Sequence, residues 1–464
     1  MQRGRTVRSS KVDMLSGSIA RGLLSMTIPI MIMNVMQSLF NIIDMTVLKN
    51  FSNEGDGAVG AVGACGTLIT LSTSLLIGLS AGANVVIAKH IGAGNKERAD
   101  KAVMTSLLLS VAGGLILMVL GVPLAETFLK MTNCPKELLK QATLYFKIYF
   151  CGIPVLMLYN FCAAILRAIG DTKRPMYFLT LGGIIKVLCT VVFVAAFDMS
   201  VEGVALTTII SNIVAGVLTF AALLKRKETI SINFKKPEFD LKELKEILFV
   251  GIPSGVQGAL YSFANVIIAA AVNKFGPDAT TGISIANQFD GILYYICNAP
   301  SLATIPYVAQ NIGAVNIKRV KQTVIRAVLI TTAFGAGFGS LSAIFSGQLS
   351  SIMSSSQAVI EYSQQKMMLI SSTYFICGIN EVLCGVLRGM KKPILPTVAT
   401  LVYMCVLRFV WVYGIFPYCP TLTFLYLVWP IGWILSIITL LIAYFPAISK
   451  LQKNLYLTKS AAQA

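Results

Sequence analysis

Apolar runs of about twenty residues or more recur along the whole chain, separated by short polar and basic stretches. This is the pattern of helices that cross a bilayer. Twelve spans are predicted, starting near residues 22, 58, 102, 141, 175, 202, 247, 279, 322, 365, 394 and 421. Membrane barrels need segments of about ten residues with strict alternation, and none is evident. The pattern predicts an all-α polytopic membrane protein.

The pattern also repeats. Ala88–Arg98 reads AKHIGAGNKER and Ala309–Arg319 reads AQNIGAVNIKR, with Ala, Ile, Gly, Ala, Asn and Arg in register. TIP at Thr27–Pro29 matches GIP at Gly251–Pro253, and Ile165–Arg167 matches Val386–Arg388, each of the latter followed by a basic turn and a proline. Two six-helix bundles in the same orientation follow, over residues 1–235 and 236–464. The basic join from Lys225 to about Lys245 reads as a solvated linker whose LKEL end runs into the seventh span. Matched prolines, Pro29 and Pro253, suggest a shared bend. A ridge of Gly57, Gly60, Gly63 and Gly66 suggests a close helix crossing in the second span.

Within the first span one line is polar: Asn34, Gln37, Asn41 and Asp44, spaced so that all four share a helix face. A carboxylate facing lipid costs several kcal/mol, roughly, so this face is expected to line a cavity or meet a partner. The seventh span carries a partial twin, Gln257, Tyr261 and Asn265, at the positions of Met33, Gln37 and Asn41. Ile268 stands where Asp44 would be, so the lining is duplicated and the acid is not. Substrate-cavity candidates are Asn34, Gln37, Phe40, Met33, Gln257, Tyr261 and Asn265, with plain helix packing as the competing role for the Met and Phe.

Charge changes the picture in two ways. The formal net charge is +18, from 38 basic and 20 acidic residues, yet only 12% of the chain is charged and its mean hydropathy is +0.76. The termini and alternate loops hold 29 of the 38 Lys and Arg, which makes both termini cytoplasmic by the positive-inside rule and removes any need for nucleic acid as a partner. Within or near the hydrocarbon lie Lys186, Asp290, Arg408 and Glu381 as well as Asp44. Pairing within halves gives Asp44 with Lys186 and Asp290 with Arg408. Glu381 is expected near the cytoplasmic end, as a gate residue or in a static pair.

Ten cysteines without a CxxC pair and a single histidine, His90, argue against a metal or disulfide framework. His90 reads as an ordinary loop residue. No cleavable leader is expected, because a basic, polar segment leads straight into the first span. Phosphate-loop and hydrolase motifs are missing, and GAGNK at Gly92–Lys96 lacks the length of a phosphate loop. A repeat of this kind without a nucleotide site reads as a secondary transporter driven by H+ or Na+, with no cofactor and not an enzyme. A membrane-embedded enzyme is the remote alternative and would need clustered catalytic groups.

TIP and NIID (Asn41–Asp44), the two IGA-x-N repeats, LRAIGDTKRP (Leu166–Pro175), VEGVALTT (Val201–Thr208) and LRGMKKP (Leu387–Pro393) together resemble the multidrug and toxic compound extrusion (MATE) family, of bacterial type. The resemblance implies two six-helix bundles forming a V in the cytoplasmic membrane, and exchange of H+ or Na+ for amphipathic, usually cationic, organic compounds by a monomer. It implies ion coupling at Asp44, helped by Asn41 and by fifth-span positions that here are Lys186 and Thr190. Where the family often has an amide, Lys186 would take the place of a bound Na+, which favours H+. A flippase for a lipid-linked or anionic substrate, from the same superfamily, is the alternative.

Overall fold

The computed structural model describes residues 11–53, 55–132, 134–226, 229–232 and 238–463. Among these the regular structure is all helical. The elements are α1 (Ile19–Phe51), α2 (Gly55–Gly92), α3 (Lys96–Met131), α4 (Lys136–Cys151), α5 (Ile153–Ala168), α6 (Lys173–Val191) and α7 (Val201–Leu224) in the first half. The second half has α8 (Leu241–Val272), α9 (Pro277–Gly313), α10 (Ile317–Ile344), α11 (Ser346–Ser351), α12 (Gln357–Gly389), α13 (Ile394–Thr400), α14 (Leu407–Val410), α15 (Leu422–Tyr426) and α16 (Val428–Gln463). The boundary expected at 235/236 lies outside the described residues.

Ten helical stretches are long and apolar enough to cross a membrane. The pair α4 and α5, bent by 47° at Gly152, makes one broken span. The twelfth is α9, 37 residues long; it carries Asp278, Asp290, Pro300 and Pro306, and is buried along much of its length by its neighbours. The expected twelve spans are thus present, although the tenth begins at Gln357, eight residues before the expected start.

The repeat has a structural purpose at its ends. Asn95 caps α3 by accepting from the Arg98 amide at 3.0 Å, and Asn316 caps α10 by accepting from Arg319 at 3.1 Å. The preceding residue turns the chain with positive φ in both copies, 69° at Gly94 and 61° at Val315. Glycine adopts that turn without strain, whereas Val315 is a β-branched exception. Asp240 caps α8, accepting from the Lys242 and Glu243 amides, so LKEL is the first turn of the span itself. Those backbone bonds, from Lys242 foremost, hold the Asp240 carboxyl below its usual range.

The halves meet along the ends of the spans that carry the basic loops. A Cβ on Gly78 would fall 2.1 Å from the Gly255 nitrogen, and one on Gly82 would fall 2.2 Å from the Ile247 carbonyl oxygen. Gly92 and Gly313 sit equally tightly on Gln310 and Lys89. These glycines let α2 cross α8 and α9 backbone to backbone. The ridge expected to do so does not: a Cβ on Gly57, Gly63 or Gly66 would touch nothing within 4 Å. Spacing identified a smooth face but not which end of α2 is pressed against a neighbour. Toward the other side of the membrane the second half has its own core, around Ala264, Ile283, Tyr374, Trp411 and Tyr426, without a residue from the first half.

Polar contacts reinforce the closed side. His90 lies in the last turn of α2, not in a loop, and is buried against Glu243 of α8 at 2.9 Å. Arg98 approaches the same carboxylate at 3.9 Å. Its repeat twin, Arg319, crosses the other way and donates to the carbonyls of Met14 (2.9 Å), Ser16 (2.5 Å) and Gly17 (3.0 Å) ahead of α1. That segment is tied by Asp13, whose carboxyl is held below its ordinary range, first by the Ser16 hydroxyl. Lys391 pairs with Glu246 nearby.

Candidate functional site

The most complete polar constellation inside the first half centres on Asp44, 2% exposed on α1. Lys186 of α6 places its ammonium 2.5 Å from Asp44 Oδ2 and also donates to Asn41 Oδ1 at 3.3 Å. Thr190, one turn further along α6, donates to Asp44 Oδ1 at 3.0 Å. Behind it Thr207 of α7 lies 2.9 Å from the Thr190 hydroxyl and within 3.0 Å of the Val204 carbonyl. Helical periodicity does the local work: Asn41 and Asp44 share one face of α1, and Lys186 and Thr190 share one face of α6. Both carboxylate oxygens therefore have donors, and the ammonium has two acceptors.

Of the remaining first-span candidates, Gln37 and Asn41 are exposed and Asn34 is half-buried. Two others point elsewhere. Met33 is 8% exposed, and its sulfur accepts from the Tyr159 hydroxyl at 3.5 Å. Phe40 packs on α6 so closely that a Cβ on Gly183 would lie 1.9 Å from the ring. Met33 is an interior packing residue and Phe40 a half-buried one, because a helix flanked by α6 and α9 has an apolar arc on each side of its polar line.

In the second half Gln257 is also interior, 1% exposed; it accepts from Arg388 at 2.8 Å and donates to the Cys384 sulfur at 3.5 Å. Tyr261 is half-buried and donates to Glu381 at 2.9 Å, while Asn380 donates to the tyrosine oxygen at 3.3 Å. Glu381 also accepts from Asn298 at 3.5 Å. It is thus a buried acid held by neutral donors, not a member of an ion pair among the described residues. Asn265 is exposed and accepts from Arg408 at 2.8 Å.

The pairing expected of Asp290 and Arg408 is not the one observed. Asp290 Oδ2 lies 2.8 Å from Lys366 of α12, which also donates to Asn287. Lys366 is the ninth residue beyond Gln357, about 14 Å into the helix, and 2% exposed. The expected start of that span, near residue 365, leaves Lys366 at the membrane edge, whereas α12 begins at Gln357. Arg408, likewise 2% exposed, has its guanidinium carbon 4.9 Å from the centre of the Trp429 ring. The same ring lies 5.8 Å from the Lys366 ammonium. Trp429 was not foreseen, nor were Thr207 and the His90–Glu243 contact. Only the VEGVALTT run pointed toward Thr207; a tryptophan in an apolar span carries no signal of its own.

His90, Glu243 and Glu246 bring three ligand-type atoms within 4.8 Å of one another. Arg98 and Lys391 already neutralise these carboxylates, so the donor set is that of an ion-pair network and not a cation site.

Comparison with known proteins follows the same lines. The MatE family model matches residues 29–192 and 253–413, one segment in each half. "Probable multidrug resistance protein YoeA" of Bacillus subtilis is 26% identical over 392 residues, 83% of this chain and 84% of that one. The "FAD transporter" of Shewanella oneidensis is 23% identical over 397 residues, 84% of this chain and 86% of its own. A MOP superfamily transporter from Pyrococcus furiosus, described by the "reverse polarity" of its binding pocket, superposes with a TM-score of 0.89 at 21% identity, covering 95% of this chain and 98% of its own.

Proposed function

The chain belongs to the MatE family of multidrug efflux transporters, and from that premise we propose that it exports amphipathic cationic organic compounds in exchange for protons. It would act as a monomer in the bacterial cytoplasmic membrane, with the basic side cytoplasmic. The observation that carries this reading is the Asp44 pocket, where one buried carboxylate can be claimed by Lys186, by a proton or by a substrate cation. Lys186 holds the carboxylate when neither competitor is present. A proton or a substrate cation displaces it, and since only one of them can neutralise Asp44 at a time, binding of one expels the other.

The hydroxyls around Asp44 support a proton as the coupling ion. With the carboxylate ionised, Thr190 donates to Oδ1 and Thr207 can donate to the Val204 carbonyl. With a proton on Oδ1 only the Thr190 rotor turns: Asp44 donates to Thr190 and Thr190 to Thr207, while Thr207 still donates to Val204. Each state keeps every hydroxyl donor bonded, which a buried site favours if it is to exist in both. Sodium would need several oxygen ligands in the volume that the Lys186 ammonium fills.

Reconstitution into vesicles tests this. A pH gradient should drive export of a fluorescent cationic dye and a Na+ gradient should not. The reading fails if Na+ alone drives it. Lys186→Asn, which exchanges the ammonium for an amide, should introduce a Na+ requirement. A second reading, transport of an anionic compound, is favoured by one observation, that Arg408 is buried with no carboxylate within ion-pairing distance among the described residues, and one relative is described as an FAD transporter.

A further inference from the structure

Among the described residues Arg408 is the buried cation with the least compensation. Its guanidinium has five N–H donors. Among the described residues it is bonded by Nη1 to Asn265, its Nε is buried without an acceptor, and no carboxylate lies within ion-pairing distance. A buried guanidinium without an anion is strongly disfavoured. The acid that could have relieved it, Asp290, is committed to Lys366 and leaves its other oxygen unbonded. Ile268, at the position matching Asp44, offers nothing.

The surroundings suit an aromatic anion. Asn265, which holds one arm of the guanidinium, is exposed, so one neutral hydrogen bond separates that arm from an exposed side chain. Trp429 is half-buried beside both Arg408 and Lys366, giving a ring surface next to two positive charges. A planar carboxylate matches two N–H groups of one guanidinium, and an attached ring can lie against the indole. We propose that Arg408, Asn265 and Trp429 form a site for the carboxylate of an aromatic compound, so that this transporter's substrates include aromatic acids and zwitterions as well as cations. The proposal rests on the export reading only for its consequence in transport; the site itself is a matter of binding.

The test compares 2-naphthoate with 2-naphthamide, which share a ring and differ in charge, by calorimetric titration of the full chain in lipid nanodiscs. The wild type should bind the acid at least ~10-fold more tightly, the difference expected when a charge-assisted bidentate contact replaces a neutral one. Arg408→Gln should remove the preference. Should that variant fail to fold, Asn265→Asp serves instead, since it places a carboxylate on the guanidinium and should remove the preference with Arg408 intact. Equal affinities in the wild type, or a preference that survives either folded variant, overturn the proposal. Loss of cationic-dye export under a pH gradient, with naphthoate binding intact, would overturn the export reading alone.

Discussion

At matching positions of the two halves an exposed asparagine receives a hydrogen bond from a buried cation, Asn41 from Lys186 and Asn265 from Arg408. One helical turn away the halves part. The first has Asp44, 2.5 Å from its lysine; the second has Ile268, 4% exposed. A single side chain thus decides whether the same frame holds a neutral, switchable pair or a fixed positive charge. The second half places its acids elsewhere, Asp290 against Lys366 and Glu381 among Tyr261, Asn298 and Asn380. Duplication preserved the scaffold, and the two halves differ in whether the buried cation beside the asparagine has a carboxylate partner.

The largest effects should come from breaking the buried pairs. Asp44→Asn and Lys366→Met each leave an uncompensated charge and should cost about 3–5 kcal/mol of unfolding free energy in mild detergent. Adding the second change, as in Asp44→Asn with Lys186→Gln or Lys366→Met with Asp290→Leu, should recover most of it. Additive losses would mean that the pairs do not interact. Next, Ile268→Asp should turn the second half into a copy of the first: it gives Arg408 a carboxylate and should weaken binding of an aromatic acid about 10-fold. Unchanged binding would break the equivalence of the two frames. The two repeat arginines should differ from each other. Arg319→Ala loses bonds to three carbonyls and should cost about 2–3 kcal/mol. Arg98, whose side chain is 53% exposed, should cost under about 1 kcal/mol on the same change, read by thermal unfolding.

The bilayer made much of this legible in advance. Only helices satisfy their backbone within lipid, so apolar runs gave the spans, and matched motifs gave the halves. Asp44 and Lys186 could be matched because each stands alone as a charge in its span. Depth along a helix says nothing of direction around it, however, which is why Arg408 was assigned to Asp290. Lys366 was overlooked for a different reason: a polar first turn, QAVIEYSQQK, hid where α12 begins. Met33 and Phe40 flank the polar line and their sequence spacing allows either face; the packing of Tyr159 and Gly183 decides. The glycines that close the basic side, Gly78 and Gly82, were passed over for a more regular ridge that packs on little.

In the proposed mechanism proton and substrate compete at Asp44. The most direct test of that competition is the initial rate of pH-gradient-driven export of a cationic dye from vesicles holding wild type or Asp44→Asn, with folding verified by gel filtration. The mechanism predicts that the gradient no longer accelerates export in the variant. Gradient-driven export at the wild-type rate would contradict it.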